Sequence, residues 1–167
     1  DAALADVRAK LSLPSDSCVM RALGLDLGTK RIGVALSNSA GTLATPYDVV
    51  HRSKDRRADH RKIHLLAQEA EAELIVVGLP LHLDGRLSPN ARSAVREAEA
   101  ISVMCSLPVE TYDERLTTVT ADRTLLEMNL NSSARRKVVD QVAASVMLQA
   151  WCDHRLATAS SPEESSQ

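Results

Sequence analysis

The run LIVVGL, Leu74 to Leu79, is aliphatic at every position but one glycine and stops at Pro80. It lacks the alternation that a half-wet strand shows, so it reads as an interior strand covered on both faces. Such a strand needs a sheet around it and helices on either side. The flanking segments fit that requirement. Two strands are expected at about 21–28 and 31–37, separated by GTK as a hairpin, and a third at about 45–51. A helix follows from Arg56 to about Glu71, then the aliphatic strand. Ser88 and Pro89 then open a second helix as N-cap and first helical residue. LPVETYD makes a fifth strand. Thr117 or Thr118 can cap a helix to about Met128, and NSS caps a last one to about Leu156. The order implies an α/β sandwich with a mixed five-stranded sheet and helices on both faces. In such sheets, sites form at the carboxyl ends of the strands.

The 167 residues fit one domain. Residues 1–19 are expected to form an N-terminal extension, residues 20–156 the domain and residues 157–167 a polar, disordered tail. No apolar run approaches the roughly 20 residues that span a bilayer. The first residues lack the layout of a secretory signal, so a cytoplasmic location away from membranes is expected. Cys18, Cys105 and Cys152 form neither a metal-type pair nor a disulfide framework. Cys105 and Cys152 read as small core residues, whereas Cys18 leaves an intermolecular disulfide open.

Three carboxylates break local expectation. In LGLDLGTKRIGVAL, Asp26 alternates with Gly24 and Gly28 on the face opposite Leu23, Leu25 and Leu27. Asp113 and Glu114 stand where the fifth strand stops. Asp140 shares a helix face with Ala143, Ala144 and Met147, so it needs a cation, a hydrogen-bond partner or a metal. A solvated turn, a loop ion pair and an ordinary structural partner are the respective alternatives. If the acids converge, they offer hard oxygen ligands suited to Mg²⁺ or Mn²⁺ rather than zinc, and two such ions could clamp the attacking and leaving oxygens of a phosphodiester displacement.

The net charge of −2 excludes coating of nucleic acid by bulk electrostatics, but the basic residues are clustered. HRSKDRRADHRK carries six Lys or Arg against two Asp, which fits a solvated helix face or a patch for a polyanion. Arg135, Arg136 and Lys137 crowd the start of the last helix, where the dipole disfavours cations; approaching phosphates would account for them.

Four segments, LGLDLGTKRIGVALS, IVVGLPLHLDG, YDERLTTVTA and RRKVVDQVAASVMLQAW, together resemble the YqgF/RuvX family, in order from about Arg21 to Trp151. The resemblance implies an RNase H-like fold and a metal-dependent nuclease. Its substrate would be the 5′ end of pre-16S rRNA or, alternatively, a Holliday junction. Carried over, Asp26, Glu114 and Asp140 become the catalytic, metal-holding acids. The glycines beside Asp26 would let metal and phosphate come close to the sheet. Lys30, Arg31, Arg86, Asn90, Arg115, Arg135, Arg136 and Lys137 become candidate nucleic-acid contacts, with Lys30 and Arg31 alternatively just solvent-exposed and Arg115 alternatively orienting Glu114. His82 and Asp84-Gly85 read as loop residues. The implied partner is structured nucleic acid, and cutting a four-way junction would need a homodimer. Two rivals stand. The first strand pair is similar to the phosphate-binding hairpin of actin-like ATPases and sugar kinases, which use two such domains. A non-catalytic nucleic-acid scaffold is the other, although 2% aromatic residues leave little for base stacking.

Overall fold

The computed structural model describes residues 20–80, 86–114 and 132–159. Five strands, β1 (Ala22–Leu27), β2 (Arg31–Ser37), β3 (Ala44–His51), β4 (Leu74–Leu79) and β5 (Val109–Asp113), form one sheet in the order β3-β2-β1-β4-β5. The β1–β2 and β2–β3 pairs are antiparallel, while β4 lies parallel to both β1 and β5. Helix α1 (Arg56–Glu69) connects β3 to β4, α2 (Pro89–Cys105) connects β4 to β5, and α3 (Ser132–Ala159) closes the described chain. The mixed five-stranded sheet matches the sequence expectation. Element ends differ by a few residues, and α3 runs to Ala159 rather than Leu156. The expected helix from 117 to 128, the extension 1–19 with Cys18, and residues 160–167 lie outside the described residues.

Both faces of the sheet are covered, as LIVVGL requires: all six of its residues are buried. On one face Leu23, Leu25, Ile32, Val34, Ile75 and Val77 meet Ile63 and Ala67 of α1 and Ala98, Ile101 and Cys105 of α2. On the other, Ala22, Ala35, Leu74 and Val76 meet Ala144, Met147, Leu148, Trp151 and Cys152 of α3. Each large aliphatic side chain buried in this way contributes roughly 1.5–3 kcal/mol. Cys105 and Cys152 are core residues, as expected, and burial pushes both thiols up to about 11.

Caps fix the helix starts that border the site. The Asp55 carboxylate accepts from the Arg57 amide at 2.9 Å and opens α1. Ser88 Oγ accepts from the Ala91 amide at 3.0 Å and donates to the Pro80 carbonyl at 2.8 Å. That second bond ties the start of α2 to the end of β4. Pro46 sits on the edge strand β3, next to a register shift at Val34/Ala35, where its missing donor is tolerated.

Candidate active site

The sheet's alternation decides which side chains can meet. Ala22 of β1, Val76 of β4 and Tyr112 of β5 face α3. With a period of two, Asp26, Gly78 and Glu114 face α3 as well. Strand β4 separates β1 from β5, so Asp26 and Glu114 can approach only across Gly78. A Cβ on Gly78 would collide with Glu114 Oε1. The glycine therefore provides the space in which the two carboxyl groups meet.

They share a hydrogen bond in which the Glu114 carboxyl donates and Asp26 accepts. Burial, then the negative charge of Asp26, pushes Glu114 up from its ordinary 4.5 to about 8. Burial also raises Asp26; the bond from Glu114 offsets part of this, and the charge of Asp140 adds to it. Asp140 is near enough to be felt, but its Oδ2 is bonded to Arg31 Nε. The carboxylate that needed a cation on the apolar face of α3 has found one, from the first residue of β2. Among the described residues no group of three or more His, Cys, Asp or Glu forms a ready metal cage. The expected convergence is thus a pair, with the third acid held alongside by an arginine.

The expectation that the glycines around Asp26 leave room for ligand is corrected at Gly24, whereas Gly28 lines the groove beside Asp26. The space at Gly24 is filled by Leu148, whose Cβ lies 2.9 Å from where a glycine Cβ would stand. Gly28 abuts the Arg31 carbonyl and Gly33 the backbone of Asp140. These residues let α3 and the β1–β2 turn pack close. A one-dimensional reading detects a missing side chain without knowing what takes its place.

At the carboxyl ends of β1 and β4 a groove of about 480 Å³ opens, with Asp26 and Glu114 in its wall. Thr29 of the β1–β2 turn, Arg56 at the start of α1, and Asn90 and Ser93 on α2 line it. Asn90 was expected near a substrate backbone. Arg86 is exposed and outside the lining, Lys30 is exposed on the turn, and Arg31 is engaged with Asp140. Arg115, His82 and Asp84-Gly85 fall outside the described residues, as do the side chains of Arg135, Arg136 and Lys137.

One polar cluster in the groove went unanticipated. Arg52 places Nη1 2.7 Å and Nη2 3.0 Å from the two carboxylate oxygens of Glu97, and His60 Nε2 stands 3.0 Å from Glu97 Oε1. The Glu97 side chain is only 3% exposed. Burial pushes its pKa up, but Arg52 and His60 outweigh this and hold it below the usual range. A signal existed, because Glu97 lies on the same helix stripe as Ala94, Ala98 and Ile101.

Residues 20–154 match the family model described as "RuvX: Holliday junction resolvase". A Myxococcus xanthus protein bearing the name "Putative pre-16S rRNA nuclease" is 44% identical over 137 residues, 81% of this chain and 90% of that one. A Mycobacterium tuberculosis protein of the same name is 45% identical over 148 residues, 87% of this chain and 86% of its own length. Among solved structures, Thermus thermophilus RuvC in complex with a Holliday junction substrate superposes with a TM-score of 0.51 at 15% identity, covering 83% of this chain and 97% of RuvC. That likeness establishes the RNase H-like fold, and the match over residues 20–154 establishes that the chain belongs to the RuvX family.

Proposed function

We propose that the chain is a divalent-metal-dependent nuclease that hydrolyses phosphodiester bonds at the 5′ end of pre-16S rRNA. The observation that supports it is the Asp26–Glu114 pair. Two carboxyl groups held together in a partly dry site share a proton because both cannot ionise side by side. A hard divalent cation in place of that proton relieves the repulsion and suits the all-oxygen donor set. Asp26 and Glu114 would hold it, and Asp140 would complete the set by exchanging Arg31 for the ion. Bound there, Mg²⁺ or Mn²⁺ supplies an acidified water and neutralises the leaving oxygen.

The chain's own residues do the rest. Thr29, Arg56, Asn90 and Ser93 offer donors along the groove to the phosphates and sugars of a substrate strand. Arg31, once released from Asp140, stands beside the acids to meet a phosphate oxygen. The family's description and the junction bound by T. thermophilus RuvC favour a second substrate, the four-way DNA junction, whose symmetric cutting needs a twofold dimer. One experiment separates the readings: cleavage of a pre-16S leader RNA, plain single-stranded RNA and a four-way junction, with wild type and Asp26→Asn, in Mg²⁺ or Mn²⁺. Preferential cutting of the leader RNA, lost in Asp26→Asn, supports the proposal; preferential cutting of the junction supports the second reading. Binding without cleavage of any substrate leaves a scaffold.

A further inference from the structure

An arginine in a groove built for nucleic acid is ordinarily a phosphate ligand. Arg52, the first residue after β3, lines the groove, yet its guanidinium is directed inward. Two of its nitrogens grip both oxygens of Glu97, and Nε donates to the Gly28 carbonyl at 2.6 Å. Each of the three guanidinium nitrogens thus donates to a protein acceptor, which uses three of its five N–H groups. Its backbone amide donates to the Lys30 carbonyl at 2.9 Å. One residue therefore holds the β1–β2 turn at both ends.

That turn connects the acids. Asp26 lies two residues before Gly28, and its carbonyl accepts from the Gly28 amide at 3.1 Å. Arg31, which holds Asp140, directly follows Lys30. Gly28 itself has no slack, since a Cβ there would strike the Arg31 carbonyl. Glu97 is in turn fixed from behind by His60 of α1. The chain of contacts runs from α1 through α2 and Arg52 to the turn, and from the turn to two of the three carboxylates.

We infer that Arg52 is a positioning residue, clamped by Glu97, that sets Asp26 and Asp140 through the β1–β2 turn and does not bind substrate phosphate. The inference rests on the reading of Asp26, Glu114 and Asp140 as the metal-holding acids. Partners that orient metal ligands without touching the ion typically change metal affinity or activity 10–100-fold.

The test uses the full chain with Arg52→Lys, which keeps the charge and loses the fork, and Glu97→Gln, which loosens the clamp. Mn²⁺ affinity is measured by calorimetry without substrate. Affinity for a pre-16S leader RNA is measured in Ca²⁺ across a salt series, and kcat and KM in Mn²⁺. Both variants are expected to bind Mn²⁺ about tenfold more weakly or worse and to lose kcat in proportion, with RNA affinity within about twofold. Weaker RNA binding in Arg52→Lys with unchanged Mn²⁺ affinity would make Arg52 a phosphate ligand and overturn the inference. Wild-type values throughout would overturn it as well. Should Arg52→Lys fail to fold, the double variant Arg52→Met/Glu97→Met removes both charges and leaves neither buried alone. Folded with weak Mn²⁺ binding it supports positioning; folded with wild-type Mn²⁺ binding it reduces the pair to a structural role. Asp26→Asn run alongside separates the two layers: undiminished Mn²⁺ binding and cleavage in that variant would remove the metal-site reading itself.

Discussion

Glu114 donates a hydrogen bond to Asp26 across strand β4, and the two carboxyl groups hold one proton between them. Neither acid's neighbours in sequence suggest the other; 88 positions separate 26 from 114. The contact exists because β1 and β5 flank β4 with their even-numbered residues on the α3 face, and because Gly78 lies between them without a side chain.

The shared proton sets a pH dependence with a definite sign. Glu114 has its ordinary value of 4.5 in the unfolded chain and about 8 in the folded one. Between those values the folded protein holds a proton that the unfolded chain has released, so stability is fully present below about 4.5 and is lost as pH rises toward 8. The raised Asp26 acts in the same direction. Glu97 and Asp59 are lowered in the folded state, so their contribution is lost only on the acid side, at lower pH. The melting temperature of metal-free protein is therefore expected to fall between pH 5 and pH 8, by about 5 °C or more. Glu114→Gln should flatten that slope and melt higher than wild type at pH 8. A level profile for the wild type would contradict the shared proton.

Two glycines on the same sheet face should respond oppositely to a methyl group. In Gly78→Ala the new Cβ meets the end of the Glu114 side chain, which can swing aside. Alanine is also the better strand residue. Folding should be unaffected or slightly favoured, while Glu114 leaves Asp26, the slope between pH 5 and 8 shrinks and cleavage drops about tenfold or more. In Gly33→Ala the Cβ meets the Asp140 backbone, which can move only with α3. That variant should lose about 3 kcal/mol of stability in urea denaturation. Equal effects at the two sites would refute the distinction between a yielding side chain and a fixed backbone.

What sequence patterns revealed follows the range of the interactions involved. The strand Leu74–Leu79, the β1–β2 hairpin and the Ser88-Pro89 helix start depend on neighbours within a few residues, and all three stand where expected. Asp140 was legible as an acid on an apolar helix face, but its partner Arg31 is 109 positions away and nothing local indicates it. Glu97 carried the same sign as Asp140, an acid within an apolar stripe, without a motif to draw attention to it. Arg52 lay inside a basic run that suggested a solvated face or a polyanion patch. Only the return of β3 beside the β1–β2 turn turns it inward onto Gly28 and Glu97. The glycines show the same limit, since each vacancy is local and its occupant is not.

A leucine–glycine contact holds α3 to the sheet and can be tested by compensation. Leu148 is fully buried and packs over Gly24. Leu148→Ala should cost about 3 kcal/mol through lost contacts and the cavity left behind. Gly24→Ala alone should also destabilise, because the added Cβ would stand 2.9 Å from Leu148 Cβ. The double variant should be somewhat more stable than the sum of the two losses implies, since Leu148→Ala removes the Cγ and Cδ2 atoms 3.3 and 3.2 Å from the added Cβ, while the contact with Leu148 Cβ stays. Strict additivity in a double-mutant cycle would mean that the two side chains do not share the space.

The Arg31–Asp140 pair makes the last prediction, because Arg31 occupies the position a divalent ion would compete for. Both side chains are about a quarter exposed, so the pair is partly shielded from water. Replacing Arg31 with alanine strips Asp140 of its cation while the charge of Asp26 remains near. Metal-free Arg31→Ala is expected to lose about 1–3 kcal/mol, the range for a half-buried charge stripped of its partner. The same change removes the competitor for Asp140, so Mn²⁺ should stabilise the variant more than it stabilises the wild type. Melting temperatures at matched Mn²⁺ concentrations measure both effects. If Mn²⁺ raised the two proteins by the same amount, Asp140 would not be among the residues that hold the ion.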